Sequence, residues 1–485
     1  MPGDLTRKEF LQRSGLAALG IAGVYGLLDG LATAPARAAV ARVALPPEQH
    51  LMQGLRVITD DGVRVTVPPL YHHVVTAQLD VARTPKALRD ARLALERALA
   101  EIEARHPPTP AGLTVVVGWG TPYFREYVPA VHGTRYPAYL PVDREASQTA
   151  GAPVPAFFDV ERFPSDPSTL VLERNDVCFV FQSDSLERIA TESQALFSAL
   201  DGLLRLTSIR KGFVGGGFGG RTSLPKEMAT KAKIAGADQI PRSAQLFLGF
   251  TSTQKAALGP DRIANFETLP GMTDQWPNGY FRNGTTMHVS HLYEDVAVWY
   301  SNNAFALRVW LATDLGRSSN TIGEDVLTLP EGPGDVQTEQ LVAQFATDPE
   351  NGLVGHSASI QPVNRLQAAV RDNYGVLRPK GTAILQRVDF NTLDHPFFWS
   401  ASPTRDRFRD SEPAAGVHFI AFSPTTDFFR RMRLAMDGRY ADGTVLPVAP
   451  HSAQMGLNGV LHTTHRQHYL VPPRRHRSFP LSELL

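Results

Sequence analysis

Residues 71–80 of the chain, YHHVVTAQLD, predict a β-strand, because Tyr71, Val74, Val75 and Thr76 favour extended structure and neither Gly nor Pro interrupts the run. A helix is predicted next, from Thr84 to about Ala104, with Pro85 at the first helical position and apolar residues at helical spacing. A second strand follows at residues 113–120, LTVVVGWG. The first structural unit is therefore strand, helix, strand.

The same alternation of strands and helices recurs further along the chain. Residues 176–182, DVCFVFQ, predict a strand that precedes a helix at about 185–206. In the second half, strands are predicted at 285–292, TTMHVSHL, and at 417–422, VHFIAF, and a helix at about 426–436 follows the latter. Strands separated by helices of this length predict α+β or α/β layering. No short repeat is visible, which argues against a solenoid or a propeller.

Composition excludes partners that are recognised by bulk charge. Lys+Arg and Asp+Glu number 48 each, so we expect neither nucleic acid nor an anionic membrane surface as a partner. A hydrophobic content of 43% and a charged content of 20% are typical of a soluble globular protein. The single cysteine, Cys178, lies in the apolar run VCFVF and is predicted to be a buried strand residue, so no internal disulfide framework is expected.

The first forty residues predict a cleavable export signal. A basic segment is followed by an apolar stretch at 15–28 and by a small-residue cleavage site after Ala38. The segment TRKEFLQ at 6–12 resembles the twin-arginine consensus with Lys8 in place of the second arginine, so the ordinary secretory route stays open. The apolar stretch is too short for a permanent membrane span. We therefore expect the protein in the periplasm, at the cell surface or outside the cell.

Changes in composition divide the chain into four parts. The run GFVGGGFGGR lacks the preceding strand and the Gly-Lys-Ser/Thr ending of a phosphate-binding loop, so it is interpreted as a connector. The expected parts are a signal at 1–38, an N-terminal domain at 39–210 with a Pro-rich insertion near 129–167, a Gly-rich linker at 211–244, and a C-terminal domain at 245–485.

Four segments resemble, in order and spacing, segments of dye-decolourising peroxidases. They are GLTVVVGWG at 112–120, DVCFVFQSD at 176–184, AILQR at 383–387 and GVHFIAF at 416–422. The resemblance covers roughly residues 65–440. It implies an α+β fold of duplicated ferredoxin-like domains, with antiparallel sheets flanked by helices as in dimeric α/β-barrel proteins. It also implies haem b in the second half, a small-molecule oxidant and a reducing substrate. A homo-oligomer is one option for the assembly.

The resemblance assigns the haem contacts to two segments. His356 stands where the family has its iron-ligating histidine, and a neutral imidazole binds haem iron through one ring nitrogen. The family's distal aspartate falls in the segment GFTSTQ, where Ser252 takes its place and Gly249 and Phe250 are candidate haem contacts. A serine hydroxyl is not an acid or base near neutral pH, so this part of the distal pocket is altered.

The family's distal arginine falls at Gln386, and Arg387 follows it. An arginine at this position would stabilise negative charge that develops on an oxygen of the peroxide. A step of one residue along a strand turns the side chain to the opposite face, so Arg387 does not automatically replace the missing arginine.

Other histidines and carboxylates offer further candidate sites. His288 and His291 would lie on opposite faces of a strand but on one side of a helix, where they could share a metal with help from Glu294 and Asp295. Asp389, Asp394 and His395 follow the AILQR segment and are candidates for a replacement acid or base near the haem. His462, His465 and His468 could line a helical face and bind a transition metal. Their place in a basic C-terminal stretch favours a frayed surface tail.

Three functional hypotheses follow from the sequence. The first is an exported haem-binding oxidoreductase of the peroxidase type with an altered distal pocket. The second is a non-catalytic haem-binding relative, and the third is a cofactor-free relative in which His356 has no special role. A haem absorption band in the purified protein would separate the third hypothesis from the other two.

Overall fold

The computed structural model describes residues 45–60, 63–129, 139–215, 223–242, 244–249, 261–302, 363–380, 382–396, 413–439 and 456–485. The helices are α1 (Pro85–Arg105), α2 (Thr121–Glu126), α3 (Arg144–Ala150), α4 (Leu186–Ala199), α5 (Leu224–Lys231), α6 (Val296–Asn302) and α7 (Asp427–Met436). The first eight strands are β1 (Arg56–Asp60), β2 (Val63–Val67), β3 (Tyr71–Leu79), β4 (Thr114–Trp119), β5 (Val142–Asp143), β6 (Val154–Pro155), β7 (Val171–Leu172) and β8 (Val177–Ser183). The other strands are β9 (Leu204–Phe213), β10 (Thr285–Glu294), β11 (Val370–Arg371), β12 (Leu377–Arg378), β13 (Gln386–Arg387), β14 (Phe390–Thr392), β15 (Gly416–Ser423) and β16 (Leu461–Val471).

The N-terminal half forms one ferredoxin-like unit. Its elements follow the chain order β3, α1, β4, β8, α4, β9, and its strands lie side by side in the order β9-β3-β8-β4. All three pairings are antiparallel. Each helix connects two strands that are not neighbours in the sheet, so both helices cover the same face.

The C-terminal half repeats this arrangement. Strand β10 lies between β15 and β16, and β15 pairs on its other side with β13 and β14. The order is therefore β16-β10-β15-β14, which is the order of the first unit with each strand replaced by its counterpart. Helix α7 follows β15 as α4 follows β8. The prediction of an α+β fold with duplicated ferredoxin-like units is confirmed.

The two sheets join at both edges and close into a barrel. Asn391 of β14 pairs with Phe213 of β9, and Leu470 of β16 pairs with Trp119 of β4. Because the barrel is closed, each of these eight strands pairs with a strand on both of its sides over at least part of its length. Closure also encloses a barrel interior between the halves, with the helices outside, as expected for a dimeric α/β-barrel arrangement.

Helix α1 shows why the predicted elements form where they do. Thr84 caps its N-terminus by accepting a hydrogen bond from the Ala87 amide at 3.3 Å, and Pro85 is the first helical residue. Leu88, Leu95 and Ile102 recur at helical spacing and are buried against the sheet. Burying a side chain of this size contributes about 1.5–3 kcal/mol, so this stripe holds the helix on the barrel.

Strand alternation separates the barrel interior from the helix-facing cores. On β8, Cys178 and Val180 point into the barrel, whereas Val177, Phe179 and Phe181 belong to the core beneath α1 and α4. Cys178 is fully buried on a strand, as predicted. The apolar part of the barrel interior is formed by Val74, Val116, Cys178, Val180, Met287, Val289, Val388, Phe390, Ile420, Phe422, Tyr469 and Val471.

The expectation of a frayed C-terminal tail is wrong. Residues 461–471 form β16, the longest strand of the barrel among the described residues, and nearly all of them are buried. Tertiary pairing with β10 and β4 overrides the basic character of the stretch. The predicted domain boundaries stay predictions, although the end of β9 and the whole of α5 place regular structure within the described part of 211–244. Within the described ranges, no helix is long and apolar enough to cross a membrane.

Candidate functional site

The N-terminal half buries an ordinary apolar core beneath its helices. Val75, Val117 and Phe179 on the sheet pack with Leu95 of α1 and Leu196 of α4, and none of the five is more than 2% exposed. Among the described residues of this face, His73 of β3 is a polar exception: it lies in phase with Val75, it is buried, and its Nε2 has no hydrogen-bond partner in the described part of the chain.

The corresponding face of the C-terminal half is polar. Val388 and Phe390 point into the barrel, so alternation places Arg387 and Asp389 on the side that faces the helices. The same alternation on β10 places its even-numbered residues there, because Met287 and Val289 point inward. We call this surface the C-terminal face. Its buried polar residues include His288, Ser290, Glu294, Arg387, Asp389, Arg466 and His468.

One row of the C-terminal face crosses four strands. Arg387 lies opposite Ala421, Ala421 lies opposite His288, and His288 lies opposite His468. The His288 ring stacks on Phe429 of α7, with 3.4 Å between ring centroids and 16° between ring planes. Helix α7 therefore covers His288, and Arg387 lies at one end of the row, two strands away from His288.

The two histidines of this row are neutral groups in a dry environment. His288 Nε2 hydrogen-bonds with Ser290 Oγ, and its Nδ1 has no partner among the described residues. His468 Nδ1 lies 3.0 Å from the Phe158 carbonyl oxygen, which requires it to donate. Burial lowers the pKa of His288 well below its usual value and lowers the pKa of His468 to about 4.

Arg466 is committed to holding the chain together. Its side chain is fully buried, and both terminal nitrogens donate to the Asp166 carboxylate at 2.7 and 2.5 Å. Its guanidinium also lies over the Phe163 ring, 5.0 Å from the centroid. A paired buried arginine of this kind is an anchor between β16 and the 159–167 segment. It is not available to a ligand.

Glu294, at the end of β10, and Asp389, between β13 and β14, are buried carboxyl groups on the C-terminal face. Glu294 is 3% exposed, and its Oε2 has no hydrogen-bond partner among the described residues. Burial, and next the negative charge of Asp389, raise the pKa of Glu294 to about 8. Perturbed carboxyl groups of this kind concentrate at functional sites.

The structure separates Gln386 from Arg387. Gln386 lies opposite Phe422, which points into the barrel, and its amide nitrogen donates to the Ala383 carbonyl at 3.2 Å. Arg387 lies opposite Ala421 on the C-terminal face. Of the two, Arg387 is therefore the residue that shares a face with Asp389 and Glu294.

The remaining predicted contacts are only partly described. Gly249 adopts a φ of +89°, a left-handed conformation that favours glycine, and a Cβ there would lie 2.8 Å from the Tyr300 hydroxyl. Phe250, Ser252 and His356 lie outside the described residues.

A second group of histidines, in the barrel interior, was not predicted. His72 Nε2 and His418 Nδ1 lie 2.7 Å apart, and the His418 ring meets the His291 ring edge to face at 4.8 Å between centroids. His465 lies opposite His291. His72 stands two residues from Val74, and His418 two residues from Ile420, so each histidine is in phase with an inward apolar residue. This spacing is the signal in the sequence that could have grouped the histidines. It was not sufficient, because the sequence does not show which face of a strand points into the barrel.

His288 and His291 lie on opposite faces of β10, as their strand spacing predicts. A shared metal is thereby excluded for this pair. Throughout the described part of the chain, no three His, Cys, Asp or Glu side chains are arranged to hold one metal ion.

Comparison with known proteins gives a family and a set of similar structures. A search of curated proteins finds no match. A dye-decolorizing peroxidase from Bacteroides thetaiotaomicron is 12% identical, with 87% of this chain and 98% of that chain covered and a TM-score of 0.48. A variant of DypB from Rhodococcus jostii RHA1 in complex with heme is 14% identical, with 85% and 96% covered and a TM-score of 0.46. The encapsulated DyP-type peroxidase from Mycobacterium smegmatis is also 14% identical, with the same coverage and a TM-score of 0.44.

These sequence identities and TM-scores are too low to bear on the activity of this chain. The model of one protein family, by contrast, matches residues 69–473 and thus spans both halves of the barrel. The chain belongs to this family, the Family of unknown function (DUF7405).

Proposed function

We propose that the protein is an exported haem-binding oxidoreductase of the peroxidase type. In this proposal haem b lies against the C-terminal face and His356 is its iron ligand. A small-molecule oxidant and a reducing substrate are the reactants. The observation that carries the proposal is the contrast between the two halves. One fold, used twice, buries mainly hydrophobic residues beneath the helices of the first half, and the charged residues Arg387, Asp389 and Glu294 in the second.

The donor set of the C-terminal face fits the work that a haem pocket requires. Haem, when bound, supplies the redox chemistry with the oxidant. Arg387 keeps its charge at any relevant pH and would stabilise negative charge on an oxygen of the oxidant. Asp389, two residues away on the same face, is a carboxyl group that can hold or release a proton. Both are buried, so water competes little with these interactions.

The proposed distal pocket differs from that of the dye-decolourising peroxidases that the sequence resembles. Ser252 cannot act as an acid or base near neutral pH. Gln386 lies on the barrel side of its strand, so its amide would not reach a ligand on the C-terminal face. The positive charge is therefore assigned to Arg387, one residue later in the chain.

A non-catalytic relative is the second candidate. The close stacking of His288 on Phe429 favours it, because this contact fills one end of the C-terminal face. Such a protein would bind haem without rapid reaction with peroxide, or would bind none.

The visible spectrum of protein purified from a haem-replete host tests the proposal. We expect a haem absorption band at one haem per chain, lost in His356→Ala and kept in the control His106→Ala, which lies at the end of α1. A wild-type protein that stays colourless after reconstitution with haemin would refute haem binding. If haem binds, rapid-mixing kinetics with hydrogen peroxide separate the two candidates, since a peroxidase must react faster than free haemin.

Export is a separate part of the proposal, supported by the signal-like residues 1–38. Cell fractionation of a tagged protein should find the processed form outside the cytoplasm. Replacement of Arg7 and Lys8 by Gln should block export if the twin-arginine route is used. Export that continues in this variant would indicate the ordinary secretory route, and a protein that stays unprocessed in the cytoplasm would refute export.

A further inference from the structure

The barrel interior becomes polar where Arg210 enters it from β9. Arg210 lies opposite Val74, which points into the barrel, so its side chain points inward too. It is 5% exposed, and its Nη1 has no hydrogen-bond partner among the described residues. A guanidinium keeps its charge at any relevant pH, and burying its N–H groups without a partner costs free energy. The fold therefore places a positively charged donor with an unpaired nitrogen inside the barrel.

Arg210 crosses the barrel towards the strand that carries His465. Its Nη2 pairs with the Glu173 carboxylate. The Glu173 amide donates to the Arg466 carbonyl at 3.0 Å, next to His465 in β16. Strands β9 and β16 are four positions apart in either direction around the barrel, so they form opposite walls. The Arg210 guanidinium is therefore held on the His465 side of the interior, although its backbone belongs to the opposite wall.

Three histidines of the C-terminal half line the same space. His291 lies opposite His418 of β15 and opposite His465 of β16, so the three residues form one row. The His291 ring meets the His418 ring at 4.8 Å between centroids, and the His465 ring lies at 6.5 Å. Neither ring nitrogen of His291 has a hydrogen-bond partner among the described residues, and Nε2 of His418 has none either. The row and Arg210 thus bring several unpaired nitrogens into one part of the interior.

His72 orients the middle of this group. Its Nε2 lies 2.7 Å from His418 Nδ1, so one of the two rings donates to the other. When His72 donates, the N–H group of His418 is at Nε2, the nitrogen without a partner. A neutral His291 carries one N–H group in either tautomer. His291, His418 and Arg210 then each present a donor, and a ligand that accepts hydrogen bonds satisfies all three.

We infer that this part of the barrel interior binds one small, singly charged anion of the halide class, together with a proton. Arg210 Nη1, His291 and His418 Nε2 donate hydrogen bonds to the anion. A metal ion is disfavoured, because the positive charge of Arg210 repels a cation. In addition, no three side chains in the described ranges are arranged to hold a metal. The interior lies on the opposite side of the C-terminal sheet from the C-terminal face, so anion binding does not require haem.

The proton compensates the charge of the anion. Glu173 already balances the charge of Arg210, so an anion alone would leave one negative charge in a dry interior. A proton that His291 or His418 takes up from solvent cancels this charge. Burial, and next the charges of neighbouring basic groups, lower the pKa of both histidines well below its usual value, so both are neutral before the anion binds. The basic groups that act on one or both of them are Arg210, His72, His73, His395 and His465.

Equilibrium dialysis with radioactive chloride tests the site in the wild-type protein. We expect saturable binding of one chloride per chain. Bromide should compete, whereas sulfate at equal ionic strength should not, because it is larger and doubly charged. Competition by sulfate would indicate exposed arginines and overturn an interior site, as would the absence of saturable binding. The affinity should rise by up to about tenfold for each unit that the pH is lowered from 8.0 to 6.5, since a proton enters with the anion. An affinity that does not change with pH would overturn joint uptake.

Two interior variants identify the donors. Arg210→Gln combined with Glu173→Gln removes the cation without leaving a buried carboxylate unpaired, and His291→Phe removes two ring nitrogens while keeping a ring. Each should weaken chloride binding by at least about tenfold. The matched control combines Arg105→Gln with Glu192→Gln, which removes an ion pair outside the barrel and should bind chloride as the wild type does. Binding of wild-type strength in both interior variants would overturn the site.

A crystallographic measurement needs no variant to fold. Bromide scatters X-rays anomalously, so crystals of the wild-type protein soaked in bromide locate the ion directly. A peak within hydrogen-bond distance of Arg210 Nη1 and a ring nitrogen of His291 is the expected result. Peaks that are confined to the protein surface would overturn the interior site.

Discussion

The two halves of the barrel meet in its interior through a hydrogen bond between His72 and His418. Nε2 of His72, on β3, lies 2.7 Å from Nδ1 of His418, on β15, so one ring donates and the other accepts. The chain separates these residues by 346 positions. His291 and His465 extend the group, and both ring nitrogens of His291 lack partners among the described residues. The barrel therefore closes around neutral imidazoles.

Stability should fall as the pH drops below about 6.5. Burial lowers the pKa of His72, His291, His418 and His465 well below the usual histidine value of 6.5. Below pH 6.5 the unfolded chain therefore takes up protons that the folded barrel does not, and each such group removes up to about 1.4 kcal/mol per pH unit. Calorimetric unfolding at pH 7.5, 6.0 and 5.0 should show a steep fall in Tm.

Two comparisons check this cause. His291→Phe should flatten the dependence of Tm on pH, whereas His106→Gln, outside the barrel, should not. Glu294 works in the opposite direction, since its raised pKa keeps a proton on the folded protein between the usual glutamate value of 4.5 and about 8. A Tm that is constant from pH 7.5 to 5.0 would contradict the neutral histidine cluster.

Gly212→Ala should destabilise the barrel by about 1–3 kcal/mol. A Cβ at this position would lie 2.3 Å from His72 Nε2 and 2.9 Å from the Phe390 Cβ, so it would displace the His72 ring from His418. Chemical denaturation measures the loss. The same change should cost less in a His72→Ala background, because the displaced ring is absent there. Equal costs in both backgrounds would show that the His72 contact is unimportant.

Arg477→Gln should lower the free energy of unfolding by about 1.5–3 kcal/mol. The Arg477 side chain is 2% exposed and donates to Glu96 at 2.7 and 3.2 Å and to Glu103 at 3.0 Å, which fastens the C-terminal residues to α1. Lys86→Ala is the control. It removes an exposed pair with Asp90 and should change stability by no more than about 0.5 kcal/mol. Similar effects of both changes in urea unfolding would argue against a fastening role.

Arg387→Gln should reduce the rate with peroxide by about 100- to 1,000-fold if the proposed function holds. The change removes the positive charge of Arg387 from the C-terminal face and leaves a side chain of similar length. Gln386→Leu is the matched control, since Gln386 lies on the barrel side of the same strand. Gln386→Leu should leave the rate with peroxide unchanged, whereas the stability of the variant can change. Comparable losses of rate in both variants would contradict the assignment of Arg387.

Local patterns in the sequence were sufficient to predict the helices and strands, and to predict which side chains lie on opposite faces of a strand. Pro85 and the apolar spacing after it identified α1, and the apolar run around Cys178 identified a buried strand. The separation of His288 from His291 and of Gln386 from Arg387 follows from the two-residue period of a strand. These features depend on neighbours within a few positions, which is why the sequence alone determined them.

Only the tertiary structure decided which face became the barrel interior and which strands met. Nothing local indicates that Leu470 pairs with Trp119, that Asn391 pairs with Phe213, or that a basic C-terminal stretch is a buried strand. The approach of His72 to His418 depends on the same closure. The physical reason is that strand pairing is set by hydrogen bonds and packing between distant segments, and the energy of these contacts outweighs the local preference of either segment.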